Sequence, residues 1–142
     1  MPTHRANIID HSVETTHIWL NELAAELGSE DPQYAYRVLR AVLHAVRDRL
    51  TVNEAAQLAA QLPELIRGIY YEGWDPSRTP ARYHDSKPFL DRIASEALLA
   101  GDSEASYAAE AVMDVVRRHI SAGEFEKVLH ALPPQVRAVV RT

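Results

Sequence analysis

The chain has 142 residues, of which 46% are hydrophobic and 25% are charged, with no cysteine and a formal net charge of −5. This length is typical of one globular domain, and the apolar content excludes an intrinsically disordered chain. The lack of cysteine excludes disulfides, thiol catalysis and thiolate metal sites. The negative charge argues against general nucleic-acid binding, because phosphate contacts need a basic face.

The first half of the chain is predicted to form four helices. Residues 1–10 are expected to be a loose arm, with Ile8 and Ile9 docked near the first helix. Gly28 is a typical left-handed helix stop, and Asp31-Pro32 is typical of an N-cap followed by a first helical proline. Apolar periodicity and these signals predict helices over four ranges: about 12–27, 32–50, 52–61 and 63–71.

The second half is predicted to repeat this plan after a connector rich in proline and charge. Ser86 is expected to cap the first of its helices, with Leu98 among the inward-facing residues, and Gly101 is expected to end it. Asp102 or Ser103 should cap the next helix, which runs to His119. Pro133-Pro134 is expected to open the last helix, and no segment shows the period-two pattern of a strand.

An internal duplication supports this plan. When the chain is shifted by 70 residues, 19–70 aligns with 89–140 without a gap. Thr51 and Glu54 have the spacing of a capping box, in which side chain and backbone bond reciprocally, and Ser121 and Glu124 repeat that spacing. The sequence therefore predicts an all-α protein, a helical bundle of two tandem pseudo-repeats of about four helices each sharing one core. The predicted single domain, 1–142, has these parts: repeat one at about 12–74, the connector at about 75–86 and repeat two at about 87–141.

One run of residues is similar to a known family. The run over 40–50 has paired arginines on a helix, and Gln61-Leu62-Pro63 breaks a short acidic helix. The sequence Arg-Gly-Ile-Tyr-Tyr-Glu-Gly-Trp follows at 67–74. With these motifs, the chain resembles the bacterial domain-of-unknown-function family 2267 over nearly its whole length. The resemblance implies a small helical bacterial protein, and it brings no established activity, cofactor or catalytic residues.

The central aromatic segment, Gly68–Pro76, is the main candidate for binding. Rigid aromatic side chains flanked by charge are typical of binding hot spots. The alternative is that these rings cover the seam between the halves, because large aromatics usually pack. The candidate binding residues are Arg67, Tyr70, Tyr71, Trp74 and Asp75.

Other candidate sites have simpler structural interpretations. No histidine pair has the i, i+4 spacing of a helical zinc site. The equivalent arginines Arg47 and Arg117, like Arg67 and Arg137, suit either two anion sites or two structural braces. We therefore expect no catalytic residue, no metal site and no cofactor.

These observations favour a non-catalytic interaction or regulatory module that uses the central aromatic segment or the groove between the repeats. The alternative is a small-ligand binder or cryptic enzyme with a pocket between helices, formed by Arg67, Tyr70, Trp74 and His44. Nucleic-acid binding through a third set is least favoured: Arg78, Arg82, Lys87 and Arg92. We expect a protein partner or a homo-oligomer, no nucleic acid and no membrane.

Location is predicted from the absence of targeting and membrane segments. The N-terminal residues lack the apolar core of a signal peptide, and no run approaches the ~18 apolar residues that span a bilayer. The sequence therefore predicts a soluble, cytoplasmic protein.

Overall fold

A computed structural model describes residues 6–140, and all regular structure in this part of the chain is helical. A 3-10 turn over Pro76–Arg78 lies in the connector. Eight α-helices are present among the described residues: α1 (Asn7–Leu27), α2 (Pro32–Asp48), α3 (Val52–Gln61), α4 (Glu64–Tyr71), α5 (Ser86–Ala97), α6 (Asp102–His119), α7 (Ala122–Ala131) and α8 (Pro134–Val140).

Helix α1 begins earlier than predicted. It starts at Asn7, so the expected loose arm is wrong for residues 7–10, and residues 1–5 lie outside the described part. No proline or glycine interrupts 7–12, and the backbone bonds of a helix continue through it. Ile8 and Ile9 are 63% and 62% exposed rather than docked.

The starts of α2 and α3 follow the predicted chemistry, whereas α2 ends at Asp48, two residues before its predicted end. The Asp31 carboxylate accepts from the Gln33 N–H at 2.9 Å. The Thr51 hydroxyl accepts from the Glu54 N–H at 3.2 Å, and the Glu54 carboxylate accepts from the Thr51 N–H at 2.9 Å. The first capping box is therefore confirmed, and α3 has the predicted bounds.

Helix α5 differs from the prediction at both ends. Ser86 is its first helical residue rather than its cap, and Asp85 at the N-cap makes no side-chain cap bond. The helix ends at Ala97, three residues before the predicted end, because Leu98 takes the left-handed conformation with φ of 60°. Leu98 was expected to face inward and is 76% exposed instead. Gly101 is the N-cap of α6, so the predicted caps Asp102 and Ser103 lie inside that helix.

The core is centred on α2 and α6. Helix α2 contacts α1, α4, α5 and α6, and residues 41–47 are all buried. Buried residues from both halves of the chain form one continuous hydrophobic cluster. Within residues 6–140, no helix combines the length and the apolarity that crossing a bilayer would require.

Candidate functional site

Two buried side chains of α2, Arg47 and His44, contact the C-terminal end of α4. Arg47, 1% exposed, donates from Nη1 to the carbonyls of Tyr70 at 2.7 Å and Glu72 at 2.8 Å. Nε2 of His44, 3% exposed, lies 2.7 Å from the Ile69 carbonyl oxygen. The last carbonyls of a helix have no partner within the helix, and positive groups are favoured at that end. These two side chains therefore fix the start of the Tyr-Tyr-Glu-Gly-Trp run.

The same side chains belong to a network that reaches α5. Nδ1 of His44 lies 2.7 Å from Oε2 of Glu96, and Arg40 donates to that oxygen at 3.1 Å. Asp48 accepts from Arg47 at 2.7 Å and also pairs with Arg92 of α5. We call this set the α2–α5 charge network: Arg40, His44, Arg47, Asp48, Glu72, Arg92 and Glu96.

Two carboxylates of this network, Asp48 and Glu96, have lowered pKa values. Burial raises the pKa of Asp48, but hydrogen bonds from Arg47 and Arg92 and their positive charges outweigh it, so the net shift is downward. Burial also raises the pKa of Glu96, and the His44 hydrogen bond and the charges around it reverse that effect. Both groups are therefore ionised in the folded protein at neutral pH.

The lowered pKa values predict a loss of stability in acid. A carboxylate with a folded pKa below its unfolded value of about 4 stabilises the protein above that value, and the contribution is lost as pH falls through the folded pKa. We expect the free energy of unfolding to fall below about pH 4.5. Glu96→Gln should make this fall shallower, as measured by urea denaturation over a pH series. Exposed Glu14→Gln is the control, and an equal acid slope in wild type and Glu96→Gln would contradict the assignment.

The His44–Glu96 pair has the form of a histidine–carboxylate dyad, yet the second ring nitrogen of His44 already has a hydrogen-bond partner. Because Nε2 faces the Ile69 carbonyl at 2.7 Å, it must donate a proton there rather than take one from a substrate. The Tyr70 hydroxyl also has a partner within the fold: it is fully buried and donates to the Ala55 carbonyl at 2.8 Å. The pKa of Tyr70 is raised well above its ordinary range, and burial is the largest cause. These groups serve the fold.

The three aromatic residues predicted to bind form a continuous cluster. Tyr70 is fully buried, and its ring meets Tyr71 edge-on with centroids 5.3 Å apart. Tyr71 is half-buried and lies 5.2 Å from the half-buried Trp74. The Trp74 indole N–H is buried and has no hydrogen-bond acceptor among residues 6–140. The cluster is anchored in the core, against which Tyr71 and Trp74 are packed.

The two charged residues predicted to bind make local hydrogen bonds. Asp75 is exposed and accepts from the hydroxyl and the N–H of Ser77, at 2.6 Å and 3.1 Å. Those bonds lower the pKa of Asp75. Arg67 donates to the carbonyls of Ala59 and Leu62, both at 2.8 Å, where α3 ends. Neither side chain forms a hydrogen bond with another of the five residues predicted to bind.

The two sets of sequence-equivalent arginines, Arg67 with Arg137 and Arg47 with Arg117, behave differently in the structure. Arg137 donates to Leu129 at 2.8 Å and Leu132 at 3.1 Å, repeating at α7 what Arg67 does at α3. Arg117, in contrast, is exposed, and its one ion-pair partner among residues 6–140 is Asp114, at 3.2 Å. The interpretation of Arg47 and Arg117 as the same brace is therefore wrong, because Arg47 is buried and binds main-chain carbonyls whereas Arg117 is exposed and pairs with a residue of its own helix.

A groove lies between α3 and α7. The sequence predicted a groove between the repeats but did not identify the residues that line it. It encloses about 340 Å³, with buried Val128 and half-buried Ala131 among its lining residues. The other lining residues are polar or charged: Glu54, Gln57, Glu124, Lys127 and His130.

The second capping box is only half formed, and this changes the groove. The Ser121 hydroxyl accepts from the Glu124 N–H at 3.2 Å, as predicted. The Ser121 N–H, however, donates to the Gln61 side chain at 3.0 Å instead of to Glu124. Residue 131, the counterpart of Gln61, is alanine and cannot do the same for Thr51. The difference between Gln61 and Ala131 in the sequence could have predicted this asymmetry.

Two charged groups of the groove have no hydrogen-bond or ion-pair partner in the described part of the chain. Among residues 6–140, the Glu124 carboxylate accepts no hydrogen bond and Lys127 forms no ion pair. By contrast, Lys87 and Arg92, proposed for nucleic-acid binding, pair with carboxylates: Lys87 lies 2.7 Å from Asp91, and Arg92 contacts Asp48. In the described part of the chain, no three His, Asp or Glu side chains cluster as a metal site.

Fold and site together define a class: an all-helical protein whose buried polar groups hold its helices together and whose uncommitted charges line a surface groove. The chain belongs to the family described as "Uncharacterized conserved protein (DUF2267)", whose profile matches residues 16–139. This confirms the resemblance seen in the sequence. Comparison with curated proteins gave no match.

Proposed function

We propose that the chain is one domain, 1–142, built from two tandem pseudo-repeats, residues 12–74 and 87–141, joined by a connector. Helix bounds support the proposal. Helices α3 and α7 each have ten residues and start at Val52 and Ala122, 70 residues apart. Starts of α2 and α6, and of α4 and α8, differ by the same interval. The equal roles of Arg67 and Arg137 add a second line of support.

We further propose that the protein is a non-catalytic, cytoplasmic interaction module that binds a protein partner in the groove between α3 and α7. One observation carries this proposal: Gln61 replaces Glu124 at the Ser121 N–H, so the Glu124 carboxylate faces the groove without a structural partner. A charged group that the fold does not use adds nothing to stability, and it gives a partner a specific contact.

The groove suits recognition better than the central aromatic segment does. Binding hot spots use large side chains that a partner can cover, whereas Tyr70 is fully buried and Tyr71 and Trp74 are half-buried against the core. The lining of the groove combines two apolar residues with charged and polar ones, and interfaces typically combine an apolar centre with polar surroundings.

Small-ligand binding in the same groove is the second candidate. The volume of about 340 Å³ falls within the range of roughly 300–1,000 Å³ typical of ligand pockets. The two proposed functions differ in the size of the molecule that is bound, a protein in one case and a small ligand in the other. A ligand would raise the melting temperature of the protein when a protein-free, low-molecular-weight extract is added, and a protein partner would not be present in that extract.

Co-purification tests the proposal. Wild-type protein and a Glu124→Ala/Lys127→Ala variant would each be used to capture partners from native lysate, with bound proteins identified by mass spectrometry. Because both groups lack partners within residues 6–140, the variant should keep its stability within about 0.5 kcal/mol. We expect one protein to be captured by the wild type and lost with the variant.

A Glu14→Ala/Arg82→Ala variant is the matched control, since it removes one charge of each sign from exposed positions outside the groove. It should retain the partner. Equal capture by the groove variant and the wild type would exclude the groove as the recognition surface.

A further inference from the structure

Both ring nitrogens of the buried His44 face hydrogen-bond acceptors. Nδ1 lies 2.7 Å from Oε2 of Glu96, and Nε2 lies 2.7 Å from the Ile69 carbonyl oxygen. Burial alone would raise the pKa of Glu96, but its net shift is downward, so Glu96 is an ionised carboxylate with no hydrogen to donate. A neutral imidazole carries one N–H and can serve one of these two acceptors. The two contacts together therefore require a His44 ring with a hydrogen on each nitrogen.

The surroundings of His44 oppose the second proton as well as favour it. Its hydrogen bonds reach α5 and the end of α4, and the charged groups around it come from these elements and from α2: Arg40, Arg47, Asp48, Glu72, Arg92 and Glu96. Three arginines and three carboxylates balance, so the second proton gives the network a net charge of about +1. The two acceptors hold that proton, whereas burial and the arginines favour its release. His44 is therefore placed to gain and lose it.

We propose that His44 is a pH-sensitive switch that binds the end of α4 when both ring nitrogens are protonated and releases it when one proton is lost. The remaining proton belongs on Nδ1, because a hydrogen bond to the Glu96 carboxylate is charge-assisted and stronger than one to a carbonyl. Nε2 then presents a lone pair to the Ile69 carbonyl oxygen at 2.7 Å, and two acceptors at this distance repel each other.

The release is confined to the end of α4 and the start of the central aromatic segment. Arg47 does not titrate in this range and keeps its two carbonyl contacts there. The Glu72 N–H bonds to the Ile69 carbonyl at 3.3 Å, and the Trp74 N–H bonds to the Tyr71 carbonyl at 3.0 Å. These two backbone hydrogen bonds follow the carbonyl that His44 releases, so they are the ones expected to open more often.

The switch also gives stability a dependence on pH in the alkaline direction. The folded protein binds a proton that an unfolded chain releases near a pH of about 6.5. Below that pH both states hold the proton, and the contribution of His44 to stability is complete. Above it the unfolding equilibrium constant rises, by at most about tenfold for each pH unit, until the folded state also loses the proton. This loss is opposite in direction to the acid loss from Asp48 and Glu96.

Nitrogen-15 NMR of the histidine rings and amide hydrogen exchange, both at about pH 6 and about pH 8.5, test the proposal. We expect hydrogens on both ring nitrogens of His44 at the lower pH and on Nδ1 alone at the higher pH. After correction for the intrinsic exchange rate at each pH, protection of the Glu72 and Trp74 amides should fall at least about tenfold between the two. Amides of α7, Ala122–Ala131, should change less, because no member of the network lies there.

Glu96→Gln provides a test from the other side of the pair. A side-chain amide at this position donates to Nδ1, so a neutral ring with its hydrogen on Nε2 satisfies both contacts. Arg40, which shares Oε2 of Glu96, keeps its contact with Glu72. We expect this variant to hold a neutral His44 with the hydrogen on Nε2 at about pH 8.5 and to lose the pH dependence of exchange at Glu72 and Trp74. Exposed Glu14→Gln is the control and should behave as the wild type.

Three results would overturn the proposal: a wild-type His44 ring that is already neutral at about pH 6, protection of Glu72 and Trp74 that does not change with pH, or a Glu96→Gln variant that keeps the wild-type pH dependence. The groove between α3 and α7 is lined by none of the residues of the α2–α5 charge network. Failure of the switch therefore leaves the groove proposal intact, and failure of the groove proposal leaves the switch intact.

Discussion

Replacing Arg47 with alanine is expected to lower the free energy of unfolding by about 3–5 kcal/mol, the cost of breaking a buried charge pair. The guanidinium is 1% exposed and donates to the carbonyls of Tyr70 and Glu72. Without it, these carbonyls lose their donors inside the protein, and Asp48 loses its closest cation on α2. Urea denaturation followed by circular dichroism measures the effect.

Arg117→Ala is the matched control, because Arg117 is the sequence equivalent of Arg47 but is exposed and, in the described part of the chain, pairs with Asp114 alone. Exposed pairs contribute at most about 1 kcal/mol. If the two substitutions had equal costs, the assignment of Arg47 as the group that caps α4 would be wrong.

His44→Ala should cost about 2–4 kcal/mol, since it removes the contact to the Ile69 carbonyl and leaves Glu96 without its nearest buried partner. His84→Ala, at an exposed position in the connector, should change stability by less than about 0.5 kcal/mol. Chemical denaturation again gives both values.

A double-mutant cycle separates the His44–Glu96 interaction from the loss of packing. Glu96→Gln combined with His44→Ala should cost less than the sum of the two single substitutions by at least about 0.5 kcal/mol, because the groups are in contact. Strict additivity would show that α2 and α5 are not joined through this pair.

Local signals in the sequence were sufficient where a helix boundary depends on nearby residues. Asp31 and the Thr51–Glu54 capping box contact backbone groups two or three residues away, so spacing alone predicts them. Leu98 shows the limit of such signals. A leucine does not signal a left-handed conformation, so the predicted end of α5 was placed at the next glycine, Gly101, which is extended and caps α6 instead.

Long-range contacts of charged residues could not be predicted from spacing. His44 and Glu96 are 52 residues apart, and each looks like a surface residue of an amphipathic helix until α2 and α5 are packed together. The central aromatic segment was ambiguous for a similar reason, since a Tyr-Tyr run near a tryptophan fits both packing and recognition. The choice between them depends on which helix lies beneath α4.

The groove also depends on tertiary structure. The sequence indicated two equal capping boxes, and only the approach of Gln61 to Ser121 makes them unequal. The family resemblance predicted the fold class and added nothing about this surface, because it brought no functional residues.

The most direct test of the groove as the recognition surface is hydrogen–deuterium exchange of the protein with and without the partner recovered by co-purification. We expect slower exchange in α3 and α7, over Val52–Gln61 and Ala122–Ala131, with no change across Gly68–Pro76. Slower exchange confined to Gly68–Pro76 would contradict the account and assign recognition to the central aromatic segment.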